Sequence, residues 1–144
     1  MDNHISISNL KRTTVNHQDV LNLLKQLTKT PKISKTEFQE LLKDLPSNHF
    51  IFVLKENQTV VGLTTVFIEQ KIIHGAGKVA HVEDVVVDIN HREKGHAKRL
   101  IEHASNVARL YKCYKIILDC NDEVKPFYEK CGFEHNSNGM TCYL

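Results

Sequence analysis

The amino-acid sequence predicts a single α/β domain in which a central, twisted, mixed β-sheet is flanked by helices. Three observations favour this fold class. Short β-branched and aromatic runs alternate with segments of helical periodicity. A strand, a long helix and another strand follow one another after residue 78, which predicts a right-handed parallel crossover. The 144 residues, 41% hydrophobic and 25% charged, suffice for one domain spanning residues 1–144.

Two amphipathic helices are predicted first. The one near residues 16–28 is indicated by an apolar stripe at i, i+3, i+4 and i+7, formed by Val20, Leu23, Leu24 and Leu27. Ser34 and Glu37 stand three apart in a capping box, and Ile33 can pack on Phe38 beside it. The second helix therefore begins after Ser34, and Pro46 ends it.

Strands are predicted in the middle of the chain. Residues 50–54 and 60–68 are β-branched and aromatic runs joined by a four-residue turn, which indicates a hairpin. Gly75 and Gly77 mark the next connection. Residues 79–87 form another strand, and its final run of three valines indicates burial on both faces.

The last third of the chain predicts a long helix followed by short elements. One face of that helix, after residue 96, is apolar and carries Ala97, Leu100, Ile101, Ala104, Val107 and Tyr111. Residues 114–120 form the next strand. Pro126 opens a short helix that Gly132 ends, and Asn138-Gly139 predicts a hairpin of two short C-terminal strands.

Composition excludes several classes of function. No stretch approaches the ~20 apolar residues that span a bilayer, so we expect a cytoplasmic protein without membrane contacts. The four cysteines lack C-x-x-C spacing and a His pair, so we expect reduced thiols and no metal site. A net charge of +2 does not indicate nucleic acid. Residues 91–115, however, hold seven Lys/Arg against two acids, which suits either an anionic ligand or a solvated helix face.

The loop between strand 79–87 and the long helix is the most informative segment. It is basic, and it has small residues, Gly95 and Ala97, where the helix begins. Backbone N–H groups at a helix N-terminus are free to bind phosphate, and small residues let oxygens approach them. This arrangement suits a pyrophosphate. From the residues alone, an ordinary glycine turn explains the loop equally well.

A family resemblance now becomes specific. Arg92-x-x-Gly95-x-Ala97 resembles the [RQ]-x-x-G-x-[GA] pyrophosphate loop of the GNAT acetyltransferase superfamily, and the FYEKCGF segment at 127–133 falls in that superfamily's order. Residues 71–74, 81–87 and 113–120 are similar to blocks of glucosamine 6-phosphate N-acetyltransferases. The N-terminal third matches mainly through Leu27-Thr28.

The resemblance implies the GNAT fold and an acetyl transfer from the cosubstrate acetyl-CoA. The acceptor would be the 2-amino group of glucosamine 6-phosphate, giving N-acetylglucosamine 6-phosphate on the way to UDP-GlcNAc. The family also implies a homodimer whose C-terminal strands help to build the sites. Two alternatives remain: an acetyltransferase for another small amine or a protein N-terminus, and a non-catalytic CoA-binding module.

The resemblance also assigns residues. The backbone of Val85, Val86 and Val87 would pair with the pantetheine arm, as in strand addition. The pyrophosphate would be held by the loop residues Arg92, Glu93, Lys94, Gly95, His96, Ala97 and Lys98. The sugar phosphate would be held by Thr28, Lys71, Ile72, Ile73, His74, Glu83, Asp84, Val85, Lys115 and Asp119. The expected catalytic residues are Tyr128, Asp119 and Glu83.

Each role has a structural alternative. Tyr128 would donate a proton to the departing thiolate, although a tyrosine beside Phe127 is often a core residue. Glu83 and Asp84 could be a solvated acid pair. Neighbours in a strand face opposite ways, however, so only one of them is expected in solvent. Lys71 and His74 could be ordinary surface residues.

Two positions depart from the family pattern. Glu93 stands where members often have Gly, which puts a negative side chain beside the expected diphosphate, so that it must point into solvent or CoA affinity should fall. Tyr143 stands where an Arg, three residues after the Met matching Met140, usually reaches the sugar phosphate. A phenol lacks the bidentate charge of Arg, and Lys115, Lys71 or His74 could compensate.

Overall fold

The computed structural model describes residues 2–144 as one five-stranded sheet with helices on both faces. The strands are β1 (Ile5–Asn9), β2 (His49–Glu56), β3 (Thr59–Gln70), β4 (Lys78–Val87) and β5 (Cys113–Ile117). The helices are α1 (His17–Leu24), α2 (Lys35–Asp44), the single turn α3 (Ile73–Ala76), α4 (His96–Leu110) and α5 (Lys125–Lys130). Short 3-10 turns lie at Leu10–Arg12 and Ile89–His91. The predicted mixed α/β fold class is confirmed.

The strands follow chain order across the sheet. β1 to β4 are antiparallel neighbours, whereas β4 and β5 are parallel and joined by α4. The predicted crossover is therefore present. A two-residue turn joins β2 and β3, with both Asn57 and Gln58 at positive φ (50° and 73°), as a type I′ hairpin requires.

Each face of the sheet has its own core. Phe52, Val66 and Val82 pack with Ile101 of α4 on one face. Val53, Leu63 and Val86 pack with α1 and α2 on the other face. Phe52 and Val53 alternate as neighbours in a strand do, whereas Val82 and Val86 reach opposite faces because the register between β3 and β4 shifts between them. Each fully buried side chain of this size contributes about 1.5–3 kcal/mol. The sheet is therefore a rigid base for the loops at its ends.

Sequence motifs at the ends of the helices predicted several of those ends correctly. The Ser34 hydroxyl accepts from the Glu37 N–H at 3.2 Å, and the Glu37 carboxylate accepts from the Ser34 N–H at 2.6 Å, which confirms the capping box. Pro126 lies in the first turn of α5. Gly132 follows that helix at φ +92°, a conformation that favours glycine.

Two predicted boundaries and one predicted hairpin were wrong. The first helix ends at Leu24 and not near residue 28, because the N–H groups of Gln26 and Leu27 bond carbonyls three residues back, which interrupts the α-helical pattern. The fifth strand ends at Ile117, since residues 118–120 leave the sheet. The C-terminal hairpin is not formed: residues 134–144 contain no strand. Met140 and Tyr143 are 97% and 95% exposed, so no core supports a hairpin, and an isolated one is marginal.

No helix within residues 2–144 combines the length and apolarity needed to cross a bilayer.

Candidate active site

The two parallel strands separate halfway along β4. Their pairing ends at His81↔Ile117, whereas β4 continues to Val87. The edge of β4 that faces β5 is therefore without a strand partner over residues 82–87. Free N–H and C=O groups along such an edge can pair with an extended amide-containing ligand.

A β-bulge shapes the same part of β4. The pairing with β3 steps from Thr65↔Glu83 to Leu63↔Val86, so β4 has one residue more than β3 between these pairs. Asp84 adopts φ +53°, which breaks the alternation, and both Glu83 and Asp84 are exposed. The expectation that only one of these carboxylates would be solvated is thus wrong, because the bulge redirects the side chains.

Three carboxylates converge beside the bulge. Although Glu83 is exposed, partial desolvation of its carboxyl group raises its pKa, and the negative charges of Asp119 and Asp84 raise it further, while His81 opposes them. Asp119 follows β5, and a Cβ built on Gly139 would lie 3.4 Å from its Oδ1 atom. The C-terminal segment therefore passes next to the cluster. A carboxylate with a raised pKa is a candidate proton acceptor.

The basic loop after β4 presents an open helix N-terminus. Gly95 caps α4 at φ +79°, and no side chain caps the helix. The first helical hydrogen bond runs from the Arg99 N–H to the Gly95 carbonyl at 3.1 Å, which leaves the N–H groups of residues 96–98 unused by the helix. No atom lies within 4 Å of a Cβ built on Gly95. An anion can therefore reach these donors.

Side chains fix the orientation of this loop. The Arg92 Nε donates to the Val87 carbonyl at 3.1 Å. Glu93 is exposed, and among the described residues it has no ion-pair partner. Beyond the loop, a groove along α4 and α5 is lined by several polar groups, including the cationic side chains of Lys98, Arg109 and Lys130. The loop and the groove together offer positive charge to an anionic ligand.

Tyr128 is both a core residue and a candidate acid. Its side chain is 9% exposed and contacts Phe127 and Phe133 at ring distances of 5.0 and 6.0 Å. Among the described residues its hydroxyl has no hydrogen-bond partner. Burial raises the pKa of Tyr128, and the nearby thiols of Cys120 and Cys131 contribute in the same direction. The phenol is thus protonated at neutral pH and free to donate.

A second group of predicted substrate residues lies elsewhere. Residues 71–74 precede β4, and Lys115 pairs with Val79 near the start of β4. Glu83 lies five positions after Lys78 along β4, a distance of roughly 17 Å. Ile72 and Ile73 are 95% and 63% exposed. Within a single chain, residues 71–74 therefore lie far from the carboxylate of Glu83.

The connector that carries this group is held by its neighbours. The Gln70 Nε2 donates to the carbonyls of Lys71 and Ala76 at 2.9 and 2.7 Å. Lys71 is paired with Glu69 at 2.9 Å, and the His74 ring lies 4.8 Å from the ring of Tyr114. Lys71 is therefore not a free cation in the single chain.

Comparison with known proteins decides the family. Residues 18–133 match the Acetyltransferase (GNAT) family. The chain belongs to the GNAT family. The resemblance to GNAT acetyltransferases is thereby confirmed. Members of this family are enzymes that transfer acyl groups from acetyl-CoA.

Individual GNAT relatives are similar over nearly the whole chain. Glucosamine 6-phosphate N-acetyltransferase from Candida albicans is 39% identical over 137 residues, covering 92% of this chain and 91% of the relative. The Arabidopsis thaliana enzyme of that name has a crystal structure that superposes with a TM-score of 0.87 at 34% identity, covering 97% and 98% of the two chains. A Trypanosoma brucei acetyltransferase has a TM-score of 0.85 at 29% identity, covering 98% and 100%.

Thr28 of the GNAT chain lies where α1 approaches the loop after β4. Thr28 is exposed, and its N–H donates to the Leu24 carbonyl at 3.1 Å. Gln26 links the two segments, since its Nε2 donates to Asp88 at 2.8 Å and its Oε1 accepts from the Ile89 N–H at 2.9 Å. The end of α1 is therefore tied to the start of the loop.

Three side chains that hold the loop after β4 or the connector before it were not singled out from the sequence: Gln26, Glu56 and Gln70. Gln26 and Glu56 bind partners 62 and 38 residues away in the chain. Only the tertiary fold brings such pairs together, so no local spacing marks them. Gln70 binds carbonyls of the adjacent connector, and a single glutamine after a strand carries no recognisable signal.

Proposed function

We propose that this GNAT protein transfers the acetyl group of acetyl-CoA to the 2-amino group of glucosamine 6-phosphate, giving N-acetylglucosamine 6-phosphate. The observation that carries the proposal is the cluster of Glu83, Asp84 and Asp119 beside the split between β4 and β5. Relatives named for this reaction, at 36–39% identity over most of the chain, support the choice of acceptor. In this role the enzyme supplies an intermediate of UDP-GlcNAc biosynthesis in the cytoplasm.

Acetyl-CoA would bind across the end of β4. Its pantetheine amides pair with the free edge of residues 82–87, and its diphosphate accepts hydrogen bonds from the N–H groups at the start of α4. Arg92 to Lys98 form that cradle, and the cations of the adjacent groove suit the remaining phosphate. The thioester carbon then lies between the carboxylates and Tyr128.

The reaction needs a neutral amine held against that carbon. The amine nitrogen attacks the thioester carbonyl, the C–S bond breaks, and the nitrogen loses a proton. Carboxylates of Glu83, Asp84 and Asp119 accept hydrogen bonds from the amino and hydroxyl groups of the sugar, and they orient it. The raised pKa of Glu83 suits it to take the proton. Tyr128 donates to the departing sulfur, which leaves as the thiol of CoA.

The distant group at residues 71–74 and Lys115 suggests that two copies build each site. We infer a homodimer, because the connector, β5 and the C-terminal segment expose apolar side chains that a monomer leaves in water: Ile72, Ile73, Tyr114, Ile117, Met140, Tyr143 and Leu144. Because the connector lies too far from the carboxylates of its own chain, it would contribute to substrate binding at the site of the partner copy. Residues 1–144 would form one such acetyltransferase domain per copy.

Ile72→Asp is therefore expected to convert the dimer to a monomer and to lower kcat/KM at least about tenfold, since a charge would be buried at the interface. Analytical ultracentrifugation and an activity assay measure the two effects. Leu110→Asp is the matched control, because Leu110 is also a highly exposed aliphatic side chain but lies at the end of α4. A fully active monomeric Ile72 variant would contradict the shared site.

The acceptor is tested by release of the CoA thiol in the presence of glucosamine 6-phosphate, glucosamine, other small amines and a panel of peptides. We expect glucosamine 6-phosphate to react with a kcat/KM at least about 100-fold above that of glucosamine, because a site built for a phosphate loses that binding energy. Reaction with peptides alone would remove the sugar from the proposal. Binding of CoA without thiol release for any amine would indicate a non-catalytic module.

A further inference from the structure

A cluster of polar side chains surrounds a buried carboxylate on the protein side of the phosphate-binding loop, and the proposed chemistry does not use that carboxylate. Its centre is Glu56, the last residue of β2, which is 7% exposed. Three donors reach the carboxylate: Asn3 Nδ2 at 2.6 Å, Lys94 Nζ at 3.3 Å and His96 Nε2 at 3.2 Å. Two of these donors, Lys94 and His96, flank Gly95. The carboxylate therefore holds both sides of the glycine that opens α4.

The contact with His96 fixes a ring inside the protein. Burial alone would raise the pKa of Glu56, but hydrogen bonds from His96 and Lys94, together with their charges, lower it below its usual range. An ionised carboxylate only accepts, so the His96 Nε2 carries the hydrogen. His96 is 4% exposed, and its Nδ1 atom is buried without a partner among the described residues. Glu56 is thus the one polar contact that this ring makes there.

The charges around Glu56 connect it to the other end of the loop. The His91 Nε2 lies 3.9 Å from Glu56 Oε2, and the His91 Nδ1 lies 3.0 Å from Asp88 Oδ1. Lys55, the neighbour of Glu56, points to the other face of the sheet and donates to Thr13 and Thr14. The loop is therefore held at its start through Asp88 and at its end through Glu56.

We propose that Glu56 is a positioning residue of the acetyl-CoA site, which fixes the backbone of residues 94–96 before the diphosphate arrives. The inference rests on the proposed function, since it requires this loop to receive the diphosphate. A loop already in its binding conformation avoids the cost of ordering on binding, so Glu56 would strengthen cosubstrate affinity without taking part in acetyl transfer. A carboxylate that acted only through its charge would do the opposite and repel the diphosphate. The two roles predict changes of opposite sign.

The test is calorimetric titration of CoA into Glu56→Gln, with steady-state kinetics on the same protein. Glutamine keeps the shape of the side chain and removes the charge-assisted bonds. We expect the Kd for CoA and the KM for acetyl-CoA to rise about tenfold, and kcat at saturation to stay within about twofold. Glu40→Gln is the matched control, because Glu40 is exposed on α2 and forms no ion pair in residues 2–144. Its constants should equal those of the unmodified protein.

A second variant keeps the proposal open to refutation if Glu56→Gln folds poorly. His96→Phe retains a ring and removes both nitrogens, so it should weaken CoA binding to a similar extent. Combined with Glu56→Gln it should add little, because the two residues act as one unit. Unchanged or tighter CoA binding in the folded variants would overturn the role of Glu56. No CoA binding by the unmodified protein would instead refute the proposed function itself.

Discussion

Substitution of Gly95 by Val is expected to weaken acetyl-CoA binding by about 100-fold, roughly 2.7 kcal/mol, with a smaller change in kcat. Two effects add. Gly95 lies at φ +79°, where a side chain costs roughly 1–2 kcal/mol, so the cradle would relax away from this shape. The valine side chain would also fill space beside the start of α4 that is open in the unmodified protein. Calorimetry with CoA measures the loss directly.

A control for backbone strain is available within the same chain. Gly75 has a similar conformation, φ +65°, and the space around a Cβ built on it is equally open. Gly75 belongs to the connector before β4, however, and not to the loop after it. Gly75→Val should therefore lose similar thermal stability and keep its Kd for CoA. Equal loss of CoA affinity in both variants would show that the loop is not the diphosphate site.

The elements that the sequence predicted well are those set by local chemistry. The capping box at Ser34, the proline at the start of α5 and the β2–β3 hairpin each depend on residues within a few positions of one another. The parallel crossover followed from the length and apolar face of α4. These patterns determine local backbone geometry directly, and tertiary packing did not override them.

The features that the sequence did not predict depend on contacts between distant segments. Nothing in the sequence marks Asp84 for a left-handed conformation, because aspartate at φ +53° becomes tolerable only where the register of β3 demands a bulge. Asn138-Gly139 is a favoured hairpin turn, but within residues 2–144 no strand pairs with its flanks. The partnership of Glu56 with His96 joins the end of β2 to α4, 40 residues later.

The candidate site also contains one part that local sequence predicted and other parts that depend on contacts between distant segments. The phosphate-binding loop was recognisable because all its backbone donors come from one short segment, residues 92–98. The acid cluster draws on β4 and on the segment after β5, and its electrostatics emerge only when Asp119 approaches Glu83. The connector at residues 71–74 resembles the family in sequence, yet its distance along β4 from Glu83 becomes clear only in the fold.

Tyr128→Phe is expected to lower kcat by about 100-fold and to leave the Kd for acetyl-CoA within about twofold. The substitution removes one oxygen and keeps the ring, so the contacts with Phe127 and Phe133 persist. In the part of the chain that the structure describes, the hydroxyl has no hydrogen-bond partner to lose, and its removal leaves no unsatisfied group. The loss would therefore fall on the step in which the C–S bond breaks and negative charge develops on sulfur.

The pH dependence of this step follows from the direction of the pKa shift. Because burial and the nearby thiols raise the pKa of Tyr128 above its ordinary value of 10.0, the phenol keeps its proton throughout the neutral and mildly alkaline range. Any fall in kcat between pH 7 and pH 9 should thus persist in Tyr128→Phe, since it would arise from another group.

Tyr111→Phe is the matched control for the loss of kcat in Tyr128→Phe, because Tyr111 packs against the same core. If both variants lost the same activity, Tyr128 would be a core residue and not the acid.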